Sequence, residues 1–127
     1  MITEIKALLE ATGQFKSVQL AQELQPVSDM ATNSPAAIVY QGKTLFQPNS
    51  LDNFVRQAAD KTIVVILLCA ATQVEMFENL ILSTLLGYQH TPAYGGLEAI
   101  ESDNHDIQGH YYARKIVFET RTHISQT

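Results

Sequence analysis

The densest gathering of metal-ligating and proton-transferring side chains is "SDNHDIQGH", residues 102–110, which brings together Asp103, His105, Asp106 and His110. Carboxylates and imidazoles hold zinc or calcium and serve as general acids and bases. The spacing fits no zinc pattern, and an EF-hand loop would need a Gly at its sixth position and a Glu at its twelfth. Asp, Asn and Gly are also the residues a tight turn demands, because they tolerate left-handed φ and bond their own backbone. The stretch is therefore expected to be a polar turn from Ser102 to Gly109. His105, His110, Asp103 and Asp106 remain as weak candidates for a metal.

Other chemistry finds less support. The serines at 17, 28, 34, 50, 83, 102 and 125 lie in no Gly-x-Ser-x-Gly elbow, and none has a histidine in evident partnership. The single cysteine, Cys69, sits inside "TIVVILLCAA" with no base beside it and reads as a small buried hydrophobe. The stretch "LLGYQHTPAYGG", residues 85–96, holds half of the six glycines and invites comparison with a phosphate loop. A phosphate loop runs from a strand into a helix N-terminus, where free N–H groups and the positive end of the dipole meet the anion. Here the glycines follow one helix and precede a strand, so the polarity is wrong. No catalytic residue and no cofactor is expected.

The elements that must position these residues follow from periodicity. Ile5, Leu8 and Leu9 fall at helical spacing over residues 3–12, with Glu4 in the first turn and Gly13 just beyond the end. "QFKSVQL" suits a short strand, and "QELQPVSDMATNSP" a polar loop. "AAIVYQGKTLFQP" predicts a strand through Tyr40, a turn at Gln41-Gly42-Lys43 and a short return strand near Leu45 and Phe46. "NSLDNFVRQAAD" suits a helical turn capped by Asn49 or Ser50, or a loop. "TIVVILLCA", residues 62–70, is apolar on both faces and too short for an independent helix, which predicts a strand at the centre of a sheet. "TQVE" then offers a capping box between Thr72 and Glu75. The helix that follows carries Val74, Phe77, Ile81 and Leu85 on one stripe, with Leu80, Leu82 and Leu86 widening it, until Gly87 stops it. From Ile116 to Ile124, Ile116, Phe118, Thr120, Thr122 and Ile124 alternate with Val117, Glu119, Arg121 and His123, the pattern of a half-buried antiparallel strand. A strand from Tyr111 to Ile124 would be about 45 Å long if straight, so it must bend or project beyond its sheet.

Together these elements predict an α+β fold: a central, mostly antiparallel sheet of about four or five strands, two main helices and an extended C-terminal β-hairpin. A chain of 127 residues is the size of one domain, here 1–127. Its 46% apolar and 17% charged composition is globular. A formal charge of −5 with scattered Lys and Arg argues against nucleic acid as the main partner. A lone cysteine gives no intramolecular disulfide framework. No basic, apolar leader and no run of about 20 apolar residues is present, so no membrane is expected and the cytoplasm is the expected site of synthesis.

The stretch "ILSTLLGYQHTPAYGGLEAI" resembles the phage tail terminator (tail completion) family. There the second helix closes with Leu-x-Gly-Trp or Leu-x-Gly-Tyr, and a Pro-containing loop with an aromatic residue leads into Leu-Glu. "TIVVILLC" before "TQVE" is similar to that family's central strand, and "YYARKIVFETRTHI" to its aromatic-rich last strand with Phe-x-Thr. The resemblance covers residues 62–124, departs at Tyr88 where Trp is frequent, and leaves the connection from 41 to 61 unconstrained.

The resemblance implies a structural virion protein that assembles as a hexameric ring on the tail tube. Such a ring stops tube polymerisation and offers a surface for head–tail joining. Its implied partners are further copies of itself, the tail tube protein and head–tail connector proteins, with DNA only as cargo passing through the ring. The implied location is the host cytoplasm during assembly and the virion tail afterwards. On this reading Tyr88, Tyr94, Tyr111, Tyr112, Arg114 and Arg121 are the candidates for contacts with a neighbouring protomer or the tube. Two other classes stay open: another self-associating component of a tail or secretion machine, and a small enzyme or ligand binder using residues 103–110.

Overall fold

A computed structural model describes residues 1–21, 35–46, 56–108 and 110–125, with side chains at 56–57, 105–108 and 123–125 outside the description. Helix α1 (Ile2–Ala11) leads into β1 (Ser17–Leu20), followed by β2 (Ala36–Phe46) and β3 (Arg56–Ala70). A 3-10 turn (Ala71–Gln73) opens α2 (Val74–Leu85), and the chain ends in β4 (Glu98–Gln108) and β5 (Tyr111–Ser125). The fold is α+β, with one five-stranded sheet in the order β1-β2-β3-β5-β4. Among the described strands the β1–β2 pair is parallel and the other neighbours run antiparallel.

The strand expected at residues 62–70 is the centre of this sheet, as its two-sided apolar character requires, but it begins earlier, at Arg56. Residues 56–60, expected in a helical turn, are strand because each pairs with β5, from Arg56 opposite Ser125 to Asp60 opposite Arg121. A ladder of long-range hydrogen bonds overrides a weak local preference there. The rest of that expected helical turn lies outside the described residues, as does the polar loop at 22–34. Because β3 matches β5 along its whole length, the terminal strand has no overhang beyond β3.

The sheet buries a cluster on each face. On one side Ile63, Val65, Leu67 and Cys69 of β3 and Ile116 and Phe118 of β5 meet Ile5 and Leu9 of α1 and Phe77, Ile81 and Leu85 of α2. Period-two strand residues thus face helical residues spaced by four. Burying each such side chain contributes about 1.5–3 kcal/mol. On the other side Val64, Ile66 and Leu68 join Ala36, Ala113 and Val117, with Tyr40 and Tyr111 partly buried beside them.

Three local expectations change. The capping box does not form. Thr72 is drawn into the 3-10 turn, Gln73 becomes the N-cap, and no side chain caps α2. Its neighbour Ala71 donates its N–H to the His110 carbonyl at 2.6 Å, tying the helix start to the far end of the β4–β5 hairpin.

At Gln41-Gly42-Lys43 the chain bulges and continues, with no turn and no return strand. Gly42 and Lys43 together oppose Thr62, and the Thr62 hydroxyl donates to the Lys43 carbonyl at 2.7 Å, taking up an acceptor that the bulge frees from the ladder. A Cβ at Gly42 would collide with that same Thr62 oxygen.

The polar turn expected at Ser102–Gly109 is strand as far as Gln108. Two β-bulges, at Ile100 and His105, absorb the residues that break its alternation.

Replacing Gly42 by Ala should therefore lower stability by about 1–3 kcal/mol, because a methyl group has to displace the Thr62 hydroxyl. Urea unfolding measures it. The double variant Gly42→Ala/Thr62→Ala should lose less than the sum of the two singles, since Thr62→Ala removes the colliding atom.

Candidate interaction surface

The corner "LLGYQHTPAYGG" is built by its ends. Gly87 ends α2 at φ +81, a conformation that Cβ-bearing residues rarely adopt. Its N–H donates to the Leu97 carbonyl at 2.9 Å, and the Leu97 N–H donates back to Tyr88 at 2.9 Å. This reciprocal pair closes a loop from 87 to 97. Gly96 lies so close to Gly87 that an added Cβ would be 3.1 Å from the Gly87 carbonyl oxygen. Two threonines of β5 then fasten the loop to the sheet. Thr122 donates to the Ala93 carbonyl at 2.9 Å and Thr120 to Gly95 at 2.7 Å, while the Gly95 N–H reaches the Arg121 carbonyl at 2.8 Å. Both hydroxyl-bearing side chains are buried, so each bond satisfies a polar group that water reaches poorly. The loop is a fastened corner, with no N–H cradle at a helix start.

Both aromatic candidates in this corner have neighbours within the chain. Tyr88 is half-buried against the helix-side core. Its removal from water, with a smaller contribution from the Glu4 carboxylate, raises its phenol above the usual value. The Tyr94 hydroxyl lies 3.4 Å from the Lys61 ammonium, which also sits 5.6 Å from the ring centre, and the His90 ring packs edge-on against Tyr94. Tyr111 packs on the second cluster, and Tyr112 is half-buried opposite Ile107.

Both arginine candidates have partners within the chain. Arg114 of β5 spans three elements: its Nε donates to Glu78 of α2 at 2.8 Å and to Ser102 of β4 at 3.0 Å, and its Nη1 to Asn104 at 3.0 Å. It thereby holds α2 over the edge hairpin. Arg121 pairs with the buried Asp60 at 2.8 Å. The hydrogen bond and charge of Asp60 hold the guanidinium above its usual range, with further attraction from Glu119 and Glu98.

Of the metal candidates, Asp103, His105 and Asp106 lie along extended β4, and His110 is exposed in the turn before β5. At about 3.3 Å per residue, Asp103 and the end of β4 are roughly 17 Å apart, so the strand spreads what a turn would have gathered. Asp103 stands opposite Lys115, Asp106 opposite Ala113, and His105 occupies a bulge. Among the described residues no group of three or more His, Cys, Asp or Glu could hold a metal ion. Cys69 is buried on the helix side, and burial pushes its thiol to about 11, away from the reactive thiolate.

Two surface features escaped sequence reading. The first is an acidic row. Glu98, Glu101 and Asp103 are spaced unevenly, but the bulge at Ile100 restores their register opposite Glu119, Val117 and Lys115, so all stand on one face of the edge strand. Glu98 and Glu119 face each other across a cleft of about 320 Å³ that Gly95, Gly96 and Arg121 also line. Like charges directly opposite cost stability. The second feature is apolar exposure at the sheet edges. Leu45 and Phe46, at the end of β2, are 46% and 57% exposed, and Ile100 on β4 is 51% exposed. Met76 and Leu86 on the helix side are similarly open. The charge row was hidden by bulges, which a period of two does not count. The exposure of Leu45 and Phe46 was hidden by the expected return strand.

Compared with known proteins, the chain matches no protein-family model, and no curated protein matches it.

The threonine fastening yields a test. Thr120→Val and Thr122→Val keep shape but remove the donors, and each should cost about 1–2 kcal/mol in thermal or urea unfolding. The same changes should raise protease cleavage within residues 88–96. Unchanged stability would mean that the corner does not depend on these hydroxyls.

Proposed function

We propose that this chain is a tail-terminator-like structural protein, which acts by binding and carries out no catalysis. It closes as a hexameric ring on the end of a phage or phage-like tail tube, stops tube subunits from adding, and presents its other side to head–tail connector proteins. The observation that carries this reading is the corner from α2 to β4. The stretch that resembles the family, "ILSTLLGYQHTPAYGGLEAI", folds as one unit: a helix ended at Gly87, a loop closed by Gly87 and Leu97, and a strand starting at Glu98. The α+β sheet with two helices on one face is the architecture expected with it.

Physical plausibility comes from the surface. A contact between unlike patches that closes upon itself makes a finite ring. Exposed Leu45 and Phe46 are large apolar groups on the uncharged end of β2, at a sheet edge where a chain that stays alone usually places charge. DNA would be passing cargo, consistent with a net charge of −5 that disfavours adhesion to phosphates. The protein would act in the host cytoplasm during assembly and then in the virion tail.

Polymerising the tube protein of the same genome with and without this chain, and measuring tube lengths by electron microscopy, tests the reading. Tubes should stop growing and carry a ring of copies at one end when the chain is added. Tubes of unchanged length with bare ends would overturn it.

A further inference from the structure

The two edges of the sheet differ in charge. One edge is β4, with Glu98, Glu101 and Asp103 exposed on one face; Lys115 stands opposite Asp103, and Arg121, already paired with Asp60, lines the cleft beside Glu98. Ile100 projects from a bulge between the first two of these acids and is 51% exposed. The other edge is β1 and, beyond its four residues, the continuation of β2. Strand β1 pairs with β2 only from Ala36 to Val39, and no described residue pairs with the outer edge of β2 from Tyr40 to Phe46. This overhang carries exposed Lys43 and no acid, followed by exposed Leu45 and Phe46.

We propose that copies of this chain associate head to tail through these edges, the acidic β4 edge of one copy meeting the Lys43-Leu45-Phe46 overhang of β2 on the next. The inference rests on reading the chain as a ring former and names the surfaces that close the ring. Charge selects the arrangement. A two-fold contact of β4 with β4 would set Glu98, Glu101 and Asp103 against their own counterparts, and a contact of β2 with β2 would set Lys43 against Lys43. The head-to-tail contact alone opposes unlike charges. Apolar groups lie on both sides of it, Ile100 on one edge and Leu45 with Phe46 on the other, so the contact buries hydrocarbon between the charged residues. Unlike patches also leave each copy with one free edge of each kind, which is what a ring needs.

Charge exchange tests the contact on the full chain. Native mass spectrometry and sedimentation would compare the wild type with Lys43→Glu, Glu101→Lys and the double variant Lys43→Glu/Glu101→Lys. Each single reversal should raise the concentration needed for assembly about tenfold, and the double variant, which restores unlike charges at every contact, should recover most of that loss. Raising the salt concentration should weaken wild-type assembly, because these charges are exposed. Phe46→Ser should weaken assembly without lowering the melting temperature, since this ring is largely outside the core.

Single variants that assemble as the wild type does, or a double variant no better than the worse single, would overturn the contact. Rings formed by the wild type would then leave the proposed function standing. A wild type that stays monomeric at every concentration would overturn the edge contact too, while the tube-length assay judges the function separately.

Discussion

The unbroken pairing of β3 with β5 is the constraint on which the rest of the structure depends. Each strand has 15 residues, and the register runs without a bulge from Arg56 opposite Ser125 to Ala70 opposite Tyr111. Because side chains alternate strictly along both strands, one regular ladder fixes two faces at once. Ile63, Val65 and Leu67 with Ile116 and Phe118 face the helices, while Val64 and Ile66 with Val117 face the other way. A slip of one residue would exchange those faces for every side chain of the strand. The buried Asp60 and its partner Arg121 sit directly opposite each other in the same register, so a slip would also strand a buried carboxylate.

Irregularity is displaced to the strands flanking this ladder. Among the described residues the three register breaks lie in β2 and β4, and none lies between β3 and β5. The bulge in β2 needs a residue without a Cβ at 42 and a hydroxyl at 62, and it carries the strand on into the overhang that exposes Leu45 and Phe46. The bulges in β4 let a strand of uneven pattern stay paired with a regular one, and the first of them aligns Glu98, Glu101 and Asp103. Past Glu98, β5 is lined by the fastened corner, where Tyr94 bridges Thr122. The centre is regular and the bulges fall on its flanking strands, which are the strands that the proposed ring contact would use.

Much of this was legible in the sequence, for physical reasons that differ by element. The two helices were readable because Ile5 and Leu9, and then Phe77, Ile81 and Leu85, recur at helical spacing and all are buried. The central strand was readable because it is apolar on both faces. The polar start of β3 was not, because residues 56–60 are strand through partners on β5 more than 60 positions away in the chain, with Ala59 and Asp60 paired to β2 as well. Composition misled at Ser102–Gln108: Asp, Asn and Ser favour turns locally, but the ladder to β5 decided the outcome. Among the interface candidates, Arg114 and Arg121 also pair with Glu78 and Asp60, partners that only the fold brings near. The capping box failed because it presumed where the helix begins, and a 3-10 turn moved that point.

Hydrogen exchange with residue-level resolution, on the chain free and assembled, tests the account most directly. It predicts that β3 and β5 amides exchange slowest in both states. On assembly new protection should fall on residues 40–46 of β2 and 98–104 of β4 together. Protection gained on the helix side at α1 and α2, with both sheet edges still exchanging freely, would contradict it.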